Sequence, residues 1–107
     1  MYMIQVISGT GNFDEVTAKG NAVVMFSAPW CGYCRRLHPM VEKVSGEISI
    51  PIYEVNCDDD KELAERFEVE IIPTLIFFRD GKEIDRIIGG GDVGYPELVK
   101  FIEKNTK

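Results

Sequence analysis

The chain is expected to fold as an α/β protein around a central mixed sheet, with elements in the order β-α-β-α-β-α-β-β-α. Three observations carry that expectation. Ala22 to Phe26 is continuously apolar rather than alternating, as a strand covered on both faces requires. Segments of helical period separate the early β-type segments, which is how parallel strands are joined. Late in the chain, Asp80-Gly81 stands between two β-type segments and is the two-residue signal of a tight antiparallel hairpin.

The elements follow in order. Met3 to Ile7 reads as a short strand, and Ser8 to Asn12 supplies turn and capping residues for a helix over Phe13–Lys19 that stops at Gly20. The central strand, Ala22 to Ser27, is parted by Pro29 from a helix that starts near Cys31. In that helix Cys34, Leu37, Val41 and Val44 recur at helical spacing, Pro39 removes one hydrogen bond, and Gly46 ends the run. Ile50 to Cys57 is the next strand, and Asp58-Asp59-Asp60 caps a helix carrying Leu63, Ala64 and Phe67. Leu75 to Phe78 and Glu83 to Ile88 form the hairpin. Gly89 to Gly94 is a loop, and Pro96 opens a last helix with Leu98, Phe101 and Ile102 on one face.

With 107 residues, 45% of them hydrophobic, the chain suits one domain over residues 1–107 with a core of its own. No segment approaches the ~20 apolar residues of a membrane span. The opening Met1-Tyr2-Met3-Ile4 has no basic, apolar and small-residue series of a secretory leader, so a cytoplasmic protein is expected. Eighteen acidic against twelve basic side chains give a charge of −6, which disfavours nucleic acid and anionic membranes as partners.

The chemistry concentrates in Trp30-Cys31-Gly32-Tyr33-Cys34. A Cys-X-X-Cys unit where a strand gives way to a helix puts the first sulfur beside unpaired N–H groups and a partial positive charge, which favours a thiolate. The second sulfur falls one turn on, within reach of a disulfide. So short a loop removes little unfolded-state entropy, which argues for a redox role rather than a structural staple.

Ala28-Pro29-Trp30-Cys31-Gly32-Tyr33-Cys34 with Pro39 beyond it, Ile72-Pro73-Thr74, and the Asp80-Gly81 hairpin together resemble the thioredoxin family over essentially the whole chain. The resemblance implies a thioredoxin fold, a central mixed five-stranded sheet flanked by four helices, with Pro73 a cis-proline facing the dithiol. It implies a thiol–disulfide oxidoreductase that reduces protein disulfides, with Cys31 as nucleophile and Cys34 as resolving thiol. The backbone at Ile72 would pair with a client chain as an added strand. Trp30, Gly32, Tyr33, Ile72, Pro73, Gly89 and Gly90 would outline the docking patch, although Trp30 or Ile72 taken singly reads as ordinary core. The implied partners are client proteins with disulfides and a thioredoxin reductase or equivalent donor. A monomer is expected, and no cofactor need bind.

The sequence departs from the family at three positions. Where thioredoxins carry a buried Asp in the strand before the motif, this chain has Met25, and where they carry a Lys in the third strand it has Glu54. Glu54 is therefore a candidate for the carboxylate that takes the Cys34 proton, against the plain reading of an exposed strand glutamate. Tyr33 stands where thioredoxins have Pro and disulfide isomerases have His, which leaves an oxidant or isomerase as an alternative. Glutaredoxins have Tyr there, but no glutathione-binding pattern is recognisable.

Other signals are weaker. Cys31, Cys34, His38 and Cys57 could form a Cys₃His zinc site, making the chain a redox-inactive interaction module, but only one ligand pair has the usual spacing. His38 otherwise reads as a helix-surface residue, and Cys57 as an inert thiol. Gly89, Gly91 and Gly94 match G-x-G-x-x-G, yet too little chain follows for a dinucleotide unit.

Overall fold

The computed structural model describes residues 4–106. Along the chain lie β1 (Gln5–Val6), α1 (Gly9–Thr17), β2 (Asn21–Ser27), α2 (Gly32–Ser45), β3 (Ile52–Asn56), α3 (Lys61–Arg66), β4 (Thr74–Arg79), β5 (Lys82–Ile88) and α4 (Tyr95–Thr106). The strands form one sheet in the order β1-β3-β2-β4-β5. β3 pairs parallel with β1 and β2, whereas β4 runs antiparallel to β2 and β5. This is the expected mixed sheet, and β2 at its centre is covered on both faces, as its unbroken apolar run requires.

Each face of the sheet has its own core. On one side Val23, Met25, Ile52, Leu75 and Phe77 pack under Leu37, Val41 and Val44 of α2 and Leu98, Phe101 and Ile102 of α4. On the other, Val24, Phe26, Val55, Ile76 and Phe78 pack under Phe13 of α1 and Leu63 of α3. There Phe67 and Phe78 both lie against Phe13, with ring centroids 5.1 and 5.3 Å from it. Burying one such side chain contributes about 1.5–3 kcal/mol.

The hairpin turn is as the sequence signals. Asp80 and Gly81 both have positive φ, 52° and 83°, the pairing whose twist matches the flanking strands. It is tied to the loop before β2 by the Asp80 N–H donating to the Gly20 carbonyl and the Gly20 N–H donating to the Asp80 carboxylate.

Most boundaries shift by one or two residues, and three of the shifts bear on how the elements are held. α1 begins at Gly9 rather than Phe13, because the presumed turn residues have partners: the Gly9 N–H donates to Asp60 and the Ser8 N–H to Asn12. Asp60 thus serves α1, and although it occupies the N-cap position of α3 it makes no side-chain capping bond there. β3 starts at Ile52 rather than Ile50, since Pro51 has no N–H to give a ladder and offers only its carbonyl, to Val23. The first strand covers Gln5–Val6 of the expected Met3 to Ile7, and Met3 lies outside the described residues. Among the described residues no helix is long and apolar enough to cross a membrane.

Candidate active site

α2 begins at Gly32, directly after a central strand and a Pro-containing loop, so its N-terminus is fixed at the end of the sheet where β2 stops. Cys31 is its N-cap: the backbone there is extended, and the Cys34 N–H donates to the Cys31 sulfur at 3.2 Å. A sulfur thus occupies the place usually filled by a Ser or Asp oxygen. Cys31 and Cys34 are joined as a disulfide, with Cα atoms 5.2 Å apart. Both are shielded, at 6% and 4% exposed, with Cys34 facing the core along the same stripe as Leu37 and Val41.

Facing the disulfide is the turn before β4. The Ile72–Pro73 bond is cis, as the resemblance implies, and the Cys31 sulfur lies 3.8 Å from the Ile72 carbonyl oxygen. Gly89 closes the arrangement from behind. Its N–H donates to the Pro73 carbonyl at 2.7 Å, and a Cβ on it would come within 2.6 Å of the Pro73 ring, so only glycine permits this approach.

The rim is apolar and open. Trp30 is 67% exposed, and Tyr33, Ile71 and Ile88 are exposed as well. The reading of Trp30 as core is therefore corrected: its indole N–H is drawn outward to the Asp58 carboxylate, 3.1 Å from the nearer oxygen. Ile72 is half-buried against the aromatic core rather than inside it.

The two substituted positions prove to be neighbours. Met25 pairs with Glu54 across β2 and β3, and Met25 is fully buried under α2. Glu54, two residues along from Ile52, shares that face. Its side chain is 21% exposed, so it is partly shielded rather than the buried carboxylate expected of a replacement acid. The buried Ser27 hydroxyl donates to Glu54 Oε2 at 2.7 Å. From α2, His38 Nε2 lies 3.7 Å from Glu54 Oε1, and its Nδ1 lies 2.7 Å from Glu42 Oε1. His38, expected as a surface residue, instead bridges helix and sheet. Ser27 and His38 were not legible as partners of Glu54, since nothing local marks a contact between residues 27 and 54.

Two arginines after the dithiol hold the flanking loops. Arg35 donates to the Pro29 carbonyl at 2.7 Å, and Arg36 donates to the carbonyls of Gly90 and Val93 at 2.7 and 2.8 Å. Cys57 is the remaining cysteine, half-buried, and burial together with the charge of Asp58 pushes its thiol above the ordinary value of 9.0. Among the described residues no group of three His, Cys, Asp or Glu side chains could hold a metal, so the Cys₃His reading finds no ligand set there.

The thioredoxin family model matches residues 5–104. A thioredoxin of Chlamydia caviae is 44% identical over 105 residues, covering 97% of this chain and 100% of that one. A probable protein disulfide-isomerase A4 of Caenorhabditis elegans is 45% identical over 96 residues, which are 89% of this chain but 15% of that protein. Among solved structures, the thioredoxin of Malassezia sympodialis superposes with a TM-score of 0.89 at 29% identity, covering 100% of this chain and 94% of that one.

Proposed function

The chain belongs to the thioredoxin family, as a dithiol–disulfide oxidoreductase of the disulfide-reducing type, and from that premise we propose that Cys31 is its nucleophile and Cys34 its resolving thiol. One observation carries the assignment of roles. Cys31 caps α2 and receives the Cys34 N–H, a setting that favours the thiolate, while its sulfur lies beside the Ile72 carbonyl where a client chain would arrive.

In the reduced protein the Cys31 thiolate attacks one sulfur of a client disulfide. The client S–S bond breaks, a Cys31–client bond forms, and the departing client thiolate takes a proton from solvent. Cys34 then gives up its proton and attacks the Cys31 sulfur, releasing the second client thiolate. Two electrons pass to the client, and the protein is left with the Cys31–Cys34 disulfide, the oxidised state this structure holds. The carboxylate of Glu54, on the face of the sheet that α2 covers, is the proposed acceptor of the Cys34 proton, reached through an intervening water.

The client chain would extend along Ile72 and Pro73 as an added strand, with Trp30, Gly32, Tyr33, Gly89 and Gly90 around it. The exposure of Trp30 and Tyr33 supports this. A thioredoxin reductase or equivalent dithiol donor restores the pair, and a compartment that supplies such electrons, the cytoplasm, is where this cycle runs. The protein acts as a monomeric electron carrier between the two.

Trapping tests the roles. Cys34→Ser, incubated reduced with insulin, is expected to accumulate a mixed disulfide at Cys31, and Cys31→Ser to accumulate none. An adduct at Cys57 in Cys34→Ser would displace the assignment, and one at Cys34 in Cys31→Ser would reverse it.

A further inference from the structure

We propose that Arg36 is a positioning residue that clamps the glycine loop beside the dithiol and thereby sets the wall of the client groove. The loop from Gly89 to Gly94 carries four glycines and is anchored at its ends: Gly89 on the Pro73 carbonyl, Val93 in the core under α2 and α4, and Gly94 through its N–H to Glu97 of α4. Its middle is a different matter. Glycine loses more freedom on ordering than any other residue, so a stretch such as Gly90-Gly91 needs a partner to hold one shape.

The loop closes on itself by one long turn bond, the Val93 N–H to the Gly90 carbonyl at 3.3 Å, and Arg36 is the partner that holds it from outside. One terminal nitrogen of its guanidinium donates to both the Gly90 and the Val93 carbonyls, bridging the loop at its mouth. The residue sits two positions after Cys34, on the helix that carries the dithiol, so the loop is referenced directly to the reacting sulfurs. The wall it holds is a working one: a Cβ at Gly91 would lie 3.9 Å from the exposed Tyr33 ring, and Gly89 abuts Pro73. The two N–H bonds of that one planar nitrogen are spent on the two carbonyls, at 2.7 and 2.8 Å. Arg35, one residue earlier, carries the same charge but holds Pro29 and does not reach the loop.

The clamp therefore matters for a bulky client and not for a small disulfide that reaches Cys31 without filling the groove. The inference rests on the protein-disulfide reading of the site. Arg36→Met is expected to raise the KM for insulin about five- to tenfold, the scale of one ordinary hydrogen bond, with kcat and the rate toward dithionitrobenzoate held within about twofold. Lys82→Met, at the hairpin end of β5 and away from the dithiol, serves as the charge control and is expected to leave the insulin KM within about twofold. An unchanged insulin KM in Arg36→Met, an equal loss toward both substrates, or the same rise in Lys82→Met would each overturn the clamp. Failure of the unmodified protein to turn over insulin at all would instead overturn the reading beneath it.

Discussion

Met25 and Glu54 stand opposite each other across one rung of the sheet. A fully buried thioether stands where the family holds a carboxylate, and a carboxylate stands where it holds a lysine. A carboxylate at Met25 would have no water and would need a partner, whereas at Glu54 it has the Ser27 hydroxyl at 2.7 Å, the His38 imidazole nearby and some solvent. If it serves Cys34, Glu54→Gln slows resolution of the mixed disulfide by about 10–100-fold near neutral pH, at the low end of general-base contributions, and the deficit shrinks as hydroxide takes over at higher pH. Stopped-flow measurement of that step across pH checks it, and an unchanged rate and pH profile would remove Glu54 from the mechanism. The dithiol, Pro73 and the departure at residue 54 were legible because each is a residue type in a recognisable place. The company Glu54 keeps was not, since it is assembled by the parallel pairing of two strands with a helix lying over them.

Among the elements, α4 shows how a helix is held by more than its apolar stripe. Leu98, Phe101 and Ile102 face the core as their spacing indicates, and the Glu97 carboxylate accepts the Gly94 N–H to cap the start. Near its end, Asn105 donates to Asp85 of β5 at 3.0 Å and Lys104 lies 3.1 Å from the same carboxylate. The hydrogen bond from Asn105, with lesser help from Lys104, holds the Asp85 carboxyl below its ordinary value of 3.8. Because the folded-state value is depressed, the tie contributes above the unfolded value and fades as pH falls through the folded one. Asp85→Asn is therefore expected to lower the melting temperature at pH 7, by less than about 1 kcal/mol of stability for so exposed a pair. The gap to the unmodified protein should close as the pH drops below 3.8; a gap constant with pH would deny the tie an electrostatic part. Element types were legible throughout, and the displaced ends have separate causes: Pro51 lacks the N–H that would start β3 earlier, a local limit, whereas α1 is extended by a tertiary contact. The start of α1 depends on Asp60, 51 residues away from Gly9, so local residue preference pointed to a turn while a tertiary hydrogen bond made a helix.

At the scale of the molecule, the topology brings three separate stretches to one end of the strands: the α2 terminus after β2, the cis-proline turn before β4, and the glycine loop after β5. β2 and β4 are antiparallel neighbours, with Phe26 opposite Thr74, so the strand that ends in the dithiol loop lies beside the strand that begins after Pro73. That adjacency makes the site. It also leaves the thermodynamic direction of the chemistry to local detail, and Tyr33, standing where thioredoxins have Pro, is one such detail. The likeness to a segment of a disulfide isomerase makes an oxidising poise the competing outcome.

The reduction potential of the Cys31–Cys34 pair, read by equilibration with a dithiol buffer and paired with insulin turnover, decides between them. A disulfide reductase requires a potential near the thioredoxin value of about −270 mV, with insulin reduced catalytically when a dithiol donor is supplied. A potential near the isomerase value of about −180 mV, with net oxidation of client thiols, would contradict the account.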